Sequence, residues 1–175
     1  ITESGHHRGE LVPLKENPKL DMLEEIVEDI GNQQIVIWCN RTRLLYDAEA
    51  RIRDLGYSTA IYDGKIDKNL REQGYQSFSE GKTQIMFINQ ASGAYGLDGL
   101  RKADYAIYLS NSYSVEQRVQ SEDRIHRGEI TRSKYIIDLT CKGTCEDKIT
   151  EALKLGQELI DSGVTDASIF KYYGD

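Results

Sequence analysis

Two arginines three positions apart, Arg124 and Arg127, stand in the stretch QSEDRIHRGE at 120–129. On a helix this spacing brings both guanidinium groups to one face, with Gln120 one turn before Arg124 and Asp123 set to pair with Arg127. A solvated helix laced by an ion pair accounts for the pattern and gains only a few tenths of a kcal/mol. A guanidinium is also planar, always charged and forked in its donors, which suits it to charge developing on a transferred phosphoryl group. Residue types alone leave both readings open, and the elements around the pair must decide.

Those elements alternate. An apolar stripe of Leu20, Leu23, Ile26, Val27 and Ile30 predicts a helix closed by Gly31. QIVIWC (34–39) is a continuous β-branched run of the kind that a sheet covered on both faces requires. An amphipathic helix over 42–56, a strand over 58–62 and a helix opening on a capping Asp67 follow. Strands over 83–89, 104–110 and 134–140, a helix over 114–127 and a closing helix over 145–163 complete the series. Strand–helix–strand repetition implies parallel pairing, right-handed crossovers and an α/β sandwich of three layers. In such a sheet the loops leaving the carboxyl ends of the strands line the ligand crevice. Here they read NRT, DGK, NQASGAYG and SNS, all small, polar or glycine-bearing, which suits backbone approach to a phosphate.

The 175 residues fit one domain, with a loose linker over 1–17, the domain over 18–163 and a tail over 164–175. A net charge of −7 argues against a general polyanion-binding surface, though a local basic strip is compatible with it. Cys39, Cys141 and Cys145 match no common zinc spacing, so reduced intracellular thiols and no metal site are expected. No apolar run is long enough to span a bilayer, and the N-terminus lacks the basic start and apolar middle of a secretory signal. With no initiating methionine, it reads as a fragment boundary.

Two motifs mislead. EGKT at 80–83 has Gln76 where a P-loop needs glycine, and it closes a helix instead of opening one, so Lys82 is a helix-end charge. Gly93, Gly96 and Gly99 miss the G-x-G-x-x-G spacing. Any machinery gripping a nucleoside triphosphate and magnesium must then lie on another domain or chain.

The set as a whole resembles the C-terminal RecA-like lobe of superfamily-two helicases, most closely the Swi/Snf-type DNA translocases. Gln120, Asp123, Arg124 and Arg127 match the sixth motif, Q-x-x-D-R-x-x-R, in place. IVIWCN looks like the fourth motif, INQASGAYGLDGL like the fifth, and IYDGKIDKNLREQGYQSFSEG like the segment between them. Tyr113 stands where the family usually has tryptophan, Gln90 where it has threonine and Asp98 where it has asparagine. The family's Ile-Gly-Gln after the second arginine is here Gly128-Glu129.

The resemblance implies the second lobe of a two-lobed motor. ATP and Mg2+ would be held mainly by a missing N-terminal lobe of the same polypeptide, and the isolated lobe would be inactive. Arg127 would contact the γ-phosphate with Arg124 beside it, and Gln120, Gly96 and Asp98 would lie near the nucleotide. Asn40, Arg41, Gly64, Lys65, Asn89 and Gln90 would track one strand of duplex DNA through its phosphates. Compactness suggests an intracellular bacterial or viral motor. The competing reading is a stand-alone, non-catalytic DNA- or partner-binding module on the same fold.

Overall fold

The computed structural model describes residues 16–92, 97–126 and 133–162. Within them the strands β1 (Ile35–Cys39), β2 (Thr59–Tyr62), β3 (Ile85–Asn89), β4 (Tyr105–Ser110) and β5 (Tyr135–Asp138) form one sheet. Its order is β2-β3-β1-β4-β5, and every pairing is parallel. The helices are α1 (Pro18–Ile30), α2 (Thr42–Asp54), α3 (Lys68–Ser79), α4 (Val115–His126) and α5 (Cys145–Asp161). A 3-10 turn, Asp98–Lys102, which the apolar pattern did not predict, precedes β4.

Every residue of the central strands β1 and β3 is buried, which is why they are spelled as unbroken apolar runs. Alternate side chains feed two cores. Ile35, Ile37, Phe87 and Leu109 pack with Leu23 and Val27 of α1 and Leu45 and Ile52 of α2. Val36, Trp38, Ile88 and Tyr108 pack with Phe78 of α3, Leu100 of the 3-10 turn and Ile125 of α4. The edge strands β2 and β5 are less covered.

Chain direction explains which helix lies where. The step from β1 to β2 runs toward one edge, and the steps from β2 to β3, from β3 across to β4, and on to β5 run back. Right-handed crossovers in opposite directions need opposite faces. Accordingly α2 joins one core, while α3, the 3-10 turn and α4 join the other. At β1 the chain leaves toward one face while its neighbours β3 and β4 leave toward the other. That divergence makes the carboxyl end of β1 the switch point of the sheet, the place where open parallel sheets form their ligand crevice.

Local chemistry fixes the helix ends. Asp67 accepts hydrogen bonds from the amides of Asn69 (2.9 Å) and Leu70 (3.3 Å), as its capping position predicts. Gly31 ends α1 with φ +69°, a conformation that glycine adopts without the steric penalty of a Cβ. Lys82, the decoy P-loop lysine, pairs with Glu80 and is largely exposed.

Candidate functional site

The loops leaving the strands are joined side to side across the whole carboxyl edge. After β2, the Gly64 amide donates to Ser92 Oγ (2.9 Å) of the loop after β3. A Cβ on Gly64 would meet that oxygen at 3.2 Å, so the two loops are closely apposed. After β3, Asn89 Nδ2 donates to Thr42 Oγ1 (3.3 Å) at the start of α2, and the Gln90 amide donates to Cys39 O (3.2 Å). After β1, Asn40 Nδ2 donates to Asn111 O (2.8 Å) while its Oδ1 accepts from Ser110 Oγ (2.6 Å). Gln90 Nε2 donates to Asn111 Oδ1 (3.2 Å), and Asn111 Nδ2 donates to Asp138 Oδ1 (2.9 Å) at the end of β5. Five strand ends are thus tied by short polar side chains whose donors and acceptors are largely matched to one another.

Of the residues expected to meet nucleic acid, Asn40, Asn89 and Gln90 belong directly to this strip and Gly64 joins it through Ser92. Arg41 and Lys65 stand exposed beside it, Arg41 in the cap position of α2 and Lys65 in the turn after β2. Asn89 and Gln90 are 7% and 4% exposed, so they present edges and not whole side chains to the crevice. Gln90 Oε1 is buried without a hydrogen-bond partner, the one gap in the strip. Beneath it the Cys39 thiol has a raised pKa because it is buried, which keeps it protonated and unreactive.

The arginine helix α4 starts four residues beyond this edge and is fixed to the sheet by Tyr108. Ser121 Oγ donates to the Arg118 carbonyl (2.7 Å), so the Tyr108 hydroxyl, 2.7 Å from Ser121 Oγ, is the donor to it. Burial raises the Tyr108 pKa, which keeps that donor protonated. Arg118 lies over the same ring, 3.6 Å from its centroid, and forks onto Asp138, with Nη2 to Oδ2 at 2.8 Å. Its Nε also donates to Glu122 (2.5 Å). Burial works to lower the Arg118 pKa, yet the hydrogen bonds and charge of Asp138 outweigh it and leave the pKa raised. At the other end Val115 Cγ2 fills the space beside Gly156 of α5, where a Cβ would meet it at 2.3 Å.

Among the expected nucleotide-side residues, Arg124 lies half-buried in the last turn of α4 and Gln120 donates to Glu116 Oε1 (2.8 Å) one turn back. Asp98 opens the 3-10 turn and is exposed. Gly96 and Arg127 fall outside the described residues, and with Arg127 the expected pairing to Asp123. Among the described residues no group of three or more His, Cys, Asp or Glu could hold a metal ion.

Sequence reasoning passed over Arg118, Asn111 and Asp138. A signal existed: Arg118, Ser121 and Ile125 recur at three and four residues, the stripe that faces the sheet, so an arginine on it must have a partner there. Asn111 sits in the SNS loop leaving the carboxyl end of a parallel strand, where ligand-lining loops lie.

Comparison with known proteins agrees with this architecture. The yeast Candida albicans chromatin-remodeling ATPase INO80 is 26% identical over 149 residues, which cover 83% of this chain but 11% of that protein. The zebrafish (Danio rerio) chromodomain-helicase-DNA-binding protein 1-like is 24% identical over 151 residues, covering 83% of this chain and 15% of that protein. The chain therefore spans only a small part of these relatives. They are eukaryotic and lend no support to a bacterial or viral origin. Among solved structures, the C-terminal part of the Fun30 ATPase domain superposes with a TM-score of 0.68 at 24% identity, over 77% of this chain and 44% of that one. The C-terminal domain of the DEAD-box protein Dbp5 gives 0.71 at 13% identity, over 81% of this chain and 79% of that one. No helix among the described residues is long and apolar enough to cross a membrane. Residues 18–129 match the helicase conserved C-terminal domain, and with the three-layer parallel sandwich this identifies the chain as a member of that family, a C-terminal RecA-like lobe of superfamily-two helicases akin to the Swi/Snf type.

Proposed function

We propose that this chain is the second motor lobe of a DNA-dependent ATPase. Arg124 and Arg127 reach across an interlobe cleft to a triphosphate and Mg2+ gripped by an N-terminal lobe of the same polypeptide. Asn40, Arg41, Gly64, Lys65, Asn89 and Gln90 meet the phosphates of duplex DNA. Gln120 orients the arginine helix, and Gly96 and Asp98 border the nucleotide. The observation that carries the reading is the polar strip at the switch point of the sheet, continuous with the sheet-anchored helix that bears Arg124. The domain extends over 18–163, with 1–17 as linker and 164–175 as tail.

The chemistry divides between the two regions. The strip offers amide donors and two exposed cations, which position a backbone and do not read bases. The arginines offer fixed positive charge to a transition state whose charge lies on phosphoryl oxygens, the role in which guanidinium acts most strongly. With so few cations, the lobe alone binds DNA weakly. Its log affinity falls against log salt with a slope of about −3 or shallower, since each phosphate contributes roughly −0.9.

The test is ATP turnover by the polypeptide carrying both lobes, with duplex DNA, single-stranded DNA and RNA supplied in parallel. Duplex DNA is expected to stimulate most. Turnover indifferent to all three would contradict the proposal, and no turnover with any of them would contradict it and favour the non-catalytic binding module.

A further inference from the structure

The orientations of the amides in the crevice are dictated from one end. The Asp138 carboxylate only accepts, so Asn111 must turn Nδ2 toward it (2.9 Å). Asn111 Oδ1 then faces the opposite way, toward Gln90 Nε2 (3.2 Å) and Arg118 Nη1 (3.4 Å). Gln90 in turn must offer nitrogen, which leaves its Oε1 as the buried acceptor without a partner. The Asn111 carbonyl meanwhile holds Asn40 Nδ2 (2.8 Å). One side chain and its own carbonyl therefore join the loops after β1 and β3 to Arg118 on α4.

Such a chain of polar orientations rearranges only as a unit. Turning the Gln90 amide over would set its oxygen against Asn111 Oδ1. Relieving that by turning Asn111 would set oxygen against the Asp138 carboxylate. The orphaned Oε1 makes the Gln90 joint the weakest, because a buried unsatisfied acceptor keeps its full desolvation penalty and any donor arriving there is rewarded. A displacement of Gln90 or Asn40 by a bound backbone is thus felt at Asn111. From there it passes to Arg118, six positions before Arg124 on the same helix.

We propose that Asn111 is a positioning residue that couples the nucleic-acid-facing loops of β1 and β3 to the arginine helix. It touches neither reacting atoms nor nucleic acid. Its role is to transmit occupancy of one site to the geometry of the other. The inference rests on the motor reading above.

The experiment uses the two-lobed polypeptide and measures ATP turnover against ATP and against duplex DNA. In Asn111→Ala, stimulation at saturating duplex is expected to fall about fivefold or more, the usual range for a coupling between sites. The KM for ATP and the half-saturating duplex concentration should stay within about twofold, because neither ligand is touched. Asn111→Asp should lose stimulation as well, by placing two carboxylates together. The exchange Asn111→Asp with Asp138→Asn restores one donor facing one carboxylate, keeps a carboxylate beside Arg118 Nη1 though not the fork, and should recover part of the stimulation. A wild-type polypeptide that duplex fails to stimulate would remove the motor reading and this inference together. Wild-type stimulation shared equally by Asn111→Ala would overturn the inference alone. So would a folded exchange variant stimulated no better than Asn111→Asp.

Discussion

Arg118 lies 3.6 Å from the Tyr108 ring centroid while its fork closes on Asp138, so one side chain joins α4 to the faces and ends of β4 and β5. The side chain is only 14% exposed, whereas its partners Asp138 and Glu122 are 36% and 31% exposed and stay solvated without it, so its removal costs mainly the packing over Tyr108 and solvent-screened ion pairs. Arg118→Ala is expected to lower unfolding stability by about 1–2 kcal/mol in urea titration. Arg118→Lys should recover less than half, because an ammonium retains the charge but neither the fork nor the stack.

The contact between Gly156 and Val115 sets the spacing of α5 against the start of α4. Ala is favoured over Gly in a helix by up to about 1 kcal/mol, so Gly156→Ala would stabilise an unconstrained helix. Here the new methyl would stand 2.3 Å from Val115 Cγ2, and overpacking of that kind costs about 1–3 kcal/mol. The clash should win, giving net destabilisation. Combined with Val115→Ala, the same change should cost at least about 1 kcal/mol less than the sum of the single changes, read from a double-mutant cycle.

Lys19 is a buried cation, its Nζ donating to the Leu109 carbonyl (2.8 Å) and to Glu146 (2.6 Å) at the start of α5. Removing only the cation leaves a carboxylate half sealed from water. Lys19→Met should therefore destabilise by about 3 kcal/mol, and adding Glu146→Leu should return much of that, since an apolar pair of similar volume is often neutral. Equal destabilisation by single and double variants would contradict this account of the pair.

Thiol chemistry separates the three cysteines. Cys141 and Cys145 are exposed and Cys39 is buried, so iodoacetamide should modify the first two in the folded chain and reach Cys39 only after denaturation. Burial raises the pKa of both Cys39 and Tyr108, and both groups are neutral when protonated. The unfolded chain gives up these protons first, near pH 8.5 for the thiol and near pH 10 for the phenol. Stability should be level with respect to these groups below about pH 8 and fall as pH rises beyond it, by up to about 1.4 kcal/mol per pH unit for each group titrating only when unfolded. Stability rising across this alkaline range would contradict the burial argument.

What the sequence disclosed and what it withheld follow from the range of the interactions. The strands, their parallel pairing and the Asp67 cap depend on local period and on one side chain reaching two or three residues ahead, so they were legible. The 3-10 turn was not, because DGLRK carries no apolar period. It is held by Leu100 entering the core and by the Gly99 amide donating to Tyr75 (2.6 Å) on α3. Buried Lys19 and buried Glu49 likewise gain partners 127 and 10 positions away, which composition cannot announce. In the crevice the four loops were legible as neighbours from topology alone. That Asn111 is their hub was not, because an asparagine between two serines reads locally as a turn.

The central claim is that the arginine pair of this lobe acts on a triphosphate held elsewhere, and single-turnover ATP hydrolysis by the two-lobed polypeptide carrying Arg127→Ala tests it most directly. ATP binding should persist while the duplex-stimulated rate falls by on the order of a thousandfold, the loss typical of an arginine finger. A variant that binds ATP and hydrolyses it at the wild-type rate would contradict the account.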